Sequence, residues 1–293
     1  MNILFDELET RLFSPKLWKG FAPPVAGSFQ TTASGNPVVG LFDDFTGFGR
    51  TCAAANSVAY YQSNGITYKS FEDDDGSIQA AVPTTKPAVD TNGIGVISLT
   101  AGSSDNDDCV IQAGGNAGST MCPFNVIYAT AKDLCFECRF KYSSIADGDT
   151  DFFIGLGGTG MAANNGWLGD DPSGTIASDM ANNDFLGFTR LTKTGTSGLL
   201  LIYDRVGGTT GTHATGIHTL VADTYVKVGF RWRQQTKTLD VYADGEYVTR
   251  VAAATTDGTP WPSLYMNFLA GVKYQATTQD VMYIDWWACA QML

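Results

Sequence analysis

Acidic residues at a spacing of two are the first candidates for chemistry in this sequence. They are Asp147, Asp149 and Asp151, Asp73 with Asp75, and Asp105 with Asp107. Carboxylate oxygens gathered in loops are the ligands that Ca²⁺ prefers. The full calcium-binding loop is not completed, because Gly158 stands eleven positions after Asp147, where the last glutamate ligand would be. Acidic turns explain the same spacing, so we predict no cofactor and no metal site, and leave Ca²⁺ as the one open ion.

A long polar segment from Gly157 to Asn183 offers a second kind of chemistry. A shallow sugar-binding site needs an aromatic surface and a few amide or carboxylate partners. The segment supplies these groups in Asn164, Asn165, Trp167, Asp170 and Asp171. The alternative is that Trp167 packs against its own sheet or against a neighbouring copy of the chain. The sequence does not separate these two interpretations.

Patterns for nucleophilic and phosphate chemistry are missing. No Gly-x-Ser-x-Gly turn occurs, and the two histidines, His213 and His218, lie in a stretch that is more typical of a loop than of a positioned base. The glycines of 155–160 are not followed by Gly-Lys-Ser/Thr, which a phosphate loop requires. The sequence therefore favours a binding or structural protein over a hydrolase, and we predict that the chain is not an enzyme.

The elements that must carry these residues are strands. Apolar Val226, Val228, Phe230 and Trp232 alternate with Lys227, Gly229, Arg231 and Arg233, which is the period of a half-buried strand. The alternation returns from Leu239 to Ala243, and Asp244-Gly245 suits a tight turn. Residues 225–251 thus predict three consecutive antiparallel strands. With 33 glycines and little helical periodicity, the whole chain is predicted to be all-β.

Charge and composition exclude several classes of partner. The chain has 293 residues, 44% of them hydrophobic, which is enough for a sizeable core. No apolar run approaches the roughly 18 residues that a membrane helix needs. A net charge of -12 repels nucleic-acid phosphates and provides no polybasic surface for a membrane. The first residues lack the basic region and apolar core of a signal peptide, so we expect synthesis in the cytoplasm without export.

The cysteines are expected to be buried rather than bound to metal. The closest pair, Cys135 and Cys138, lies in a predicted strand, where a separation of three puts the two side chains on opposite faces. No second pair has the spacing of a zinc site. In a reducing cytosol such residues behave as small hydrophobic side chains.

Residues 1–39 differ from the rest of the chain. Leu4, Leu8 and Leu12 fall at helical spacing before Pro15, which predicts a short helix. An extended stretch with Trp18, Phe21 and Phe29 follows, without a core of its own. One interpretation is an arm whose apolar residues are buried on another subunit. The other is a strap packed on its own domain. We predict an arm over 1–39 and one β domain over 40–293.

Three stretches together resemble the concanavalin A-like jelly roll of lectins, glucanases and laminin-G domains. They are 135–142 leading into 151–156, the strands of 225–251, and Tyr283-Ile-Asp-Trp-Trp287. The pattern K-V-x-F-x-W … L-x-V-Y-x-D-G, which recurs in that family, is matched by 227–232 and 239–245. The resemblance covers about residues 120–293. It implies an antiparallel β-sandwich but no particular activity, because this sandwich carries enzymes, lectins and structural domains.

Glucanases of this fold carry Glu-x-Asp-x-Glu on one strand, which aims three carboxylates into one cleft. No such triplet occurs in this chain. Glu137 is the best-placed glutamate, and it shares the polar face of its strand with Arg139 and Lys141. That arrangement is more typical of a surface ion pair than of an acid catalyst.

The arm, the missing export signal and the loops rich in Gly, Thr and Ala also resemble structural proteins of tailed-bacteriophage virions. This second resemblance implies a capsid decoration or cement protein, located in the virion and bound to the major capsid protein or to other virion subunits. The residues expected to bind the partner are Leu4, Leu8, Leu12, Trp18, Phe21 and Phe29. A homotrimer is the expected oligomer. The alternative function is a glycan-binding tail or fibre adhesin, or a lectin, with a site at Asn164, Trp167, Asp170 and Asp171.

Overall fold

A computed structural model describes sixteen segments of the chain. They are residues 13–21, 27–33, 36–46, 49–55, 58–72, 77–80, 95–101, 107–116, 119–120, 122–145, 150–161, 183–190, 198–206, 211–253, 261–274 and 281–293. No helix long and apolar enough to cross a bilayer occurs within these segments.

The described residues form twenty-one β-strands. In the first third they are β1 Gly27–Ala33, β2 Asn36–Asp43, β3 Gly49–Ala55, β4 Val58–Ser63, β5 Ile66–Glu72, β6 Ser77–Ala80 and β7 Ile97–Thr100. Next come β8 Asp108–Ala113, β9 Gly115–Asn116, β10 Ser119–Thr120, β11 Phe124–Asn125, β12 Leu134–Tyr142, β13 Thr150–Gly157 and β14 Phe185–Arg190. The last are β15 Leu200–Asp204, β16 Gly211–Ala214, β17 Val226–Arg233, β18 Thr238–Ala243, β19 Glu246–Ala252, β20 Tyr265–Tyr274 and β21 Val281–Met292.

Two large antiparallel sheets make up the domain. The first sheet has the order β1-β2-β21-β12-β17-β18-β19, with β7 also paired to β21 and β6 to β7. The second sheet has the order β16-β15-β14-β13-β20-β8-β5-β4-β3, with β11 beside β20. The predicted all-β sandwich of the concanavalin A-like type is confirmed. The three-strand prediction for 225–251 is confirmed by β17, β18 and β19, whose Asp244-Gly245 turn has the positive φ angles that the sequence predicts.

The main core lies between the facing sides of the two sheets. Phe136 on β12 stacks on Phe230 on β17 within the first sheet, with ring centroids 5.0 Å apart. Phe268 on β20 of the second sheet stacks on Trp287 on β21 of the first, at 4.9 Å. The contact between Phe268 and Trp287 crosses the sandwich, because alternate side chains of each strand point inward.

A buried hydrogen-bond network ties the edge of one sheet to the other. Asp43 ends β2, and its carboxylate accepts hydrogen bonds from Ser63, Asn64 and Tyr68 of the β4–β5 hairpin. The Phe45 backbone N–H donates to the same carboxylate at 2.8 Å. Burial raises the pKa of Asp43, although the hydrogen bonds, led by that from Tyr68, oppose the shift. The network satisfies a charge that would otherwise be costly to bury.

The outer face of the first sheet is covered by the start of the chain. Residues 13–21 form turns and bends, and Leu4, Leu8 and Leu12 of the predicted helix lie outside the described residues. The chain then enters the sheet as β1, which carries Phe29 and pairs with β2. Residues 27–33 and 36–39 of the predicted arm are therefore strands of the sandwich.

Candidate functional site

One end of the second sheet gathers exposed apolar side chains around buried polar ones, and we call it the loop end. Four stretches of the chain form it. They are the end of β13 with the turn after it (Gly157–Met161), the residues before β14 (183–184), the end of β15 (204–206) and the start of β20 (263–267). The two ends of segment 162–182 meet there, because the Gly158 N–H donates to the Asp184 carbonyl at 2.8 Å.

The Asp184 side chain connects the strands that meet at the loop end. Its buried carboxylate accepts the Ser263 backbone N–H at 2.5 Å and the Ser263 hydroxyl at 3.3 Å. Its other oxygen accepts the Val206 N–H at 3.4 Å. One side chain thus holds together the starts or ends of three strands. Since its oxygens are occupied by backbone donors, we assign Asp184 a positioning role.

Gln112 holds the same region from the neighbouring strand β8. Its buried side-chain amide donates to the Gly158 carbonyl at 2.5 Å and to the Gly157 carbonyl at 3.3 Å. The turn after β13 is therefore fixed from two sides, by Gln112 and by the partner strand β14. A loop stem fixed in this way gives the residues beside it a reproducible geometry.

Three large apolar side chains are exposed at the loop end. Val206 is 58% exposed, Leu264 43% and Tyr265 50%. Tyr265 shares the outer face of β20 with Asn267, since side chains two apart in a strand point the same way. An exposed tyrosine ring next to amide and carboxylate groups is the combination that shallow sugar sites use.

The predicted sugar-binding residues Asn164, Trp167, Asp170 and Asp171 lie outside the described residues. What the structure places is the start and the end of their segment, Met161 and Asn183, at the loop end. Sequence reasoning missed Tyr265 and Leu264. Their only sequence signal was an apolar pair at the start of a strand, and such a pair is usually buried.

The acidic stretches considered for Ca²⁺ are partly described. Asp107 and Asp151 reach the same end of the second sheet, where Asp151 on β13, Lys273 on β20 and Asp108 on β8 lie side by side in register. Lys273, on the middle strand of the three, thus lies between Asp151 and Asp108. Within the described segments, no group of three His, Cys, Asp or Glu side chains is arranged to hold a metal ion.

The surface ion-pair interpretation of Glu137 is wrong. Glu137 is buried, and its carboxylate accepts the Ser14 N–H at 3.1 Å and the Trp18 indole N–H at 2.7 Å. Arg139 pairs instead with Asp285 on β21 and lies over the Tyr225 ring. Burial raises the pKa of Glu137, and the hydrogen bonds from Ser14 and Trp18 oppose that shift. The residue faces outward as predicted, but another part of the chain covers it.

The arm residues Trp18 and Phe21 are buried against their own chain. They form an aromatic cluster with Phe13, Phe42 and Trp286 on the outer face of the first sheet. This is the strap arrangement that the sequence offered as the alternative to a free arm. In this arrangement Trp18 and Phe21 have little surface left to bury on a partner.

The buried-cysteine prediction is confirmed for Cys135 and Cys138. Cys135 faces the outer cluster and Cys138 the main core, and both carry free thiols. His218 lies 3.6 Å from Asp244 at the turn between β18 and β19. Asp244 belongs to the first sheet and His218 to the connection between β16 and β17, so the pair is separate from the loop end.

No protein-family model matches this chain, and no curated protein matches it. Solved structures do share its fold. A protein of unknown function from Shewanella oneidensis MR-1 is 13% identical with a TM-score of 0.51, over 96% of this chain and 95% of that one. An endo-β-1,4-glucuronan lyase from the fungus Trichoderma reesei is 11% identical with a TM-score of 0.49, over 86% and 95%. The carbohydrate recognition domain of Emp47p is 11% identical with a TM-score of 0.48, over 86% and 95%.

The prediction that the chain is not an enzyme is wrong. Solved structures with this jelly roll include the glucuronan lyase as well as the carbohydrate recognition domain. What the likeness establishes is the fold: the chain is a concanavalin A-like β-sandwich, of the kind found in lectins and glucanases.

Proposed function

We propose that this protein binds a glycan at the loop end of the second sheet. The observation that carries the proposal is the exposure of Tyr265 and Leu264 beside a braced polar turn. The Tyr265 ring has half of its surface in water and therefore contributes little to the core. An exposed ring of this kind can stack on the apolar face of a sugar. Lectins have this fold, which makes the proposal compatible with the architecture but identifies no residue of a site.

The chemistry of the loop end favours an uncharged glycan. Segment 162–182, which lies outside the described residues, contains Trp167, Asn164 and two aspartates, and these are residue types that can bind sugars. With a net charge of -12, the chain would repel a polyuronate or a sulfated chain. We therefore expect neutral hexoses or N-acetylhexosamines to bind best.

A glycan array with the full chain tests this proposal, followed by two alanine variants. Burial of a side chain of this size contributes about 1.5–3 kcal/mol. Since 1.4 kcal/mol is tenfold in affinity, Tyr265→Ala and Trp167→Ala should each weaken binding by about ten- to a hundredfold. Tyr247→Ala is the matched control, because Tyr247 is also 50% exposed but lies on β19 of the first sheet.

Two outcomes would contradict the proposal. One is that no glycan on a broad array binds, and the other is that Tyr265→Ala and Tyr247→Ala lose glycan affinity equally. Any glycan that binds should then be incubated with the protein and analysed by mass spectrometry. Shortened products would assign cleavage to the same site, whereas an intact glycan would assign recognition alone.

Residues 13–21 dock on the first sheet of their own chain, and this docking does not by itself support a role in a virion. The phage virion role and its capsid partner stay predictions.

A further inference from the structure

Residues 13–21, which we call the strap, dock on the first sheet through contacts of their own. The strap groove is the outer face that receives them, and it is lined by Phe42, Cys135, Glu137, Gly229, Trp286 and Ala290. These contacts form a hydrophobic cluster that is distinct from the main core between the sheets. The strap can therefore be considered as a unit that joins and leaves the sandwich without opening its core.

Polar contacts fix the position of the strap in the groove. The Ser14 N–H, the Ser14 hydroxyl and the Trp18 indole N–H all donate to the Glu137 carboxylate. The Arg231 guanidinium donates to the Lys19 carbonyl at 2.5 Å, and the Cys135 thiol to the Leu17 carbonyl at 3.4 Å. A buried carboxylate satisfied by one short segment specifies the register of that segment.

Leu17 occupies a notch that exists because residue 229 is glycine. A Cβ at Gly229 would lie 2.5 Å from Leu17 Cδ1 and 2.5 Å from the Phe136 carbonyl oxygen. Leu17 itself is fully buried. Hydrogen bonds at Glu137 and a matched notch at Gly229 together make the groove a specific receptor for the strap sequence.

The strap crosses the sheet away from the strand to which it is joined. Phe13 packs on Phe42 of β2, whereas Phe21 lies 5.5 Å from the Arg231 guanidinium of β17. The chain must then return to Gly27, where β1 begins. Since β1 is three strands from β12 and four from β17, the distance to cover is about 14–19 Å at roughly 4.8 Å per strand.

The connection that covers this distance is short and contains two prolines. Only residues 22–26, Ala-Pro-Pro-Val-Ala, separate Phe21 from Gly27. Six Cα–Cα steps reach about 20 Å at most, so the link within one chain has little slack. Short connections of this kind favour exchange of the attached element between copies.

We propose that the strap of one copy docks in the strap groove of a second copy, so that the protein assembles by strap exchange. The exchanged and unexchanged forms make the same contacts in the groove, so exchange between copies loses none of them. The partner is therefore a second copy of this chain. Because each copy carries a net charge of -12, association should strengthen as salt screens the repulsion.

A complementation experiment with two full-length variants tests the proposal. Leu17→Asp puts a carboxylate at a fully buried strap position, and Glu137→Arg removes the acceptor from the groove. In a mixture, only the strap of the Glu137→Arg chain and the groove of the Leu17→Asp chain are intact, so docking is restored only between chains. After co-refolding from urea at equal concentrations, native mass spectrometry should show the mixed dimer at least tenfold above either homodimer.

Leu264→Asp is the matched control, since it puts the same charge on an exposed leucine far from the groove and should leave wild-type dimers unchanged. If both variants unfold cooperatively and the mixed dimer is no more abundant than the homodimers, the proposal is overturned. If either variant fails to fold, ¹⁵N-labelled and unlabelled wild-type chains are co-refolded instead. Their mixed dimer is expected, and only monomers at every concentration and salt level would overturn strap exchange.

Discussion

The Tyr68 hydroxyl donates to the Asp43 carboxylate at 2.6 Å, and this bond joins the two sheets of the sandwich. Asp43 ends β2 of the first sheet, whereas Tyr68 lies on β5 of the second. Trp287 on β21 donates its indole N–H back to the same hydroxyl at 3.2 Å. The network thus connects three strands that are distant in the sequence.

Loss of the Asp43 carboxylate should destabilise the fold. Asp43→Ala removes the buried carboxylate that accepts hydrogen bonds from Ser63, Tyr68 and Phe45, and the loss of a buried hydrogen bond costs about 1–3 kcal/mol. We expect the free energy of unfolding to fall by about 3 kcal/mol or more in urea titrations. Tyr68→Phe, which keeps the ring, should lose about 1–2 kcal/mol.

The control for Asp43→Ala is Asp223→Asn, because the Asp223 side chain is largely exposed with a long ion pair to Lys141, and asparagine tolerates the positive φ of 55° at this position. That substitution should change stability by less than about 1 kcal/mol. Equal losses for the two aspartates would contradict the bridging role of Asp43.

Glu137 should make the fold less stable as pH rises. Burial raises its pKa above the ordinary value of 4.5, so the folded state holds the proton more tightly than the unfolded state. The contribution is complete below the ordinary value and is lost as pH increases through the raised one. Glu137→Gln stays neutral and should therefore gain stability relative to wild type as pH rises from 4 to 7.

The measurement is the difference in unfolding free energy between wild type and Glu137→Gln as a function of pH. Taking the difference removes the contributions of the other carboxyls, Asp43 included. A difference that is constant with pH, or that favours wild type increasingly at neutral pH, would contradict a raised pKa at this site.

The notch at Gly229 should tolerate no side chain. Gly229→Ala brings a Cβ within 2.5 Å of both Leu17 and the Phe136 carbonyl oxygen. Leu17→Ala should lower the free energy of unfolding by about 2–4 kcal/mol because of the cavity it leaves. Gly229→Ala should lower it by about 1–3 kcal/mol because of overpacking.

Combining the two substitutions separates strap contacts from sheet strain at Gly229. Leu17→Ala removes only one of the two close contacts, so the double variant should remain less stable than Leu17→Ala alone. If it instead matched Leu17→Ala, the contact with the Phe136 backbone would be harmless and the notch would serve the strap alone.

Thiol labelling should distinguish one cysteine from four others. Cys109, Cys135, Cys138 and Cys289 are buried, whereas Cys122 is partly exposed beside Thr159 at the loop end. Burial raises the pKa of Cys122 above its ordinary value of 9.0, so its labelling should accelerate as pH increases. Among these five thiols, maleimide should modify Cys122 first in the native protein, as read by peptide mass mapping.

Cys122→Ser supplies the control for the labelling experiment, since it should abolish that fast modification without changing the others. Modification of Cys135 at a comparable rate would mean that the strap leaves its groove often, because Cys135 lies beneath Leu17. That result would contradict a tightly docked strap.

The local pattern of the chain determined its strands and their faces. Alternation from Val226 to Trp232 and the Asp244-Gly245 turn predicted β17 to β19, and a spacing of three correctly put Cys135 and Cys138 on opposite sides of β12. Such features depend on neighbours within a few residues. Pleating and turn chemistry therefore express them directly.

Tertiary structure decided what lies against each face. The sequence put Glu137 on the outer face of its strand, but only the fold brought Ser14 and Trp18 across it, 123 and 119 positions away. In the same way, the exposure of Tyr265 depends on segments far along the chain. Periodicity reports the direction of a side chain from the backbone, whereas burial depends on contacts between distant segments, which no local pattern encodes.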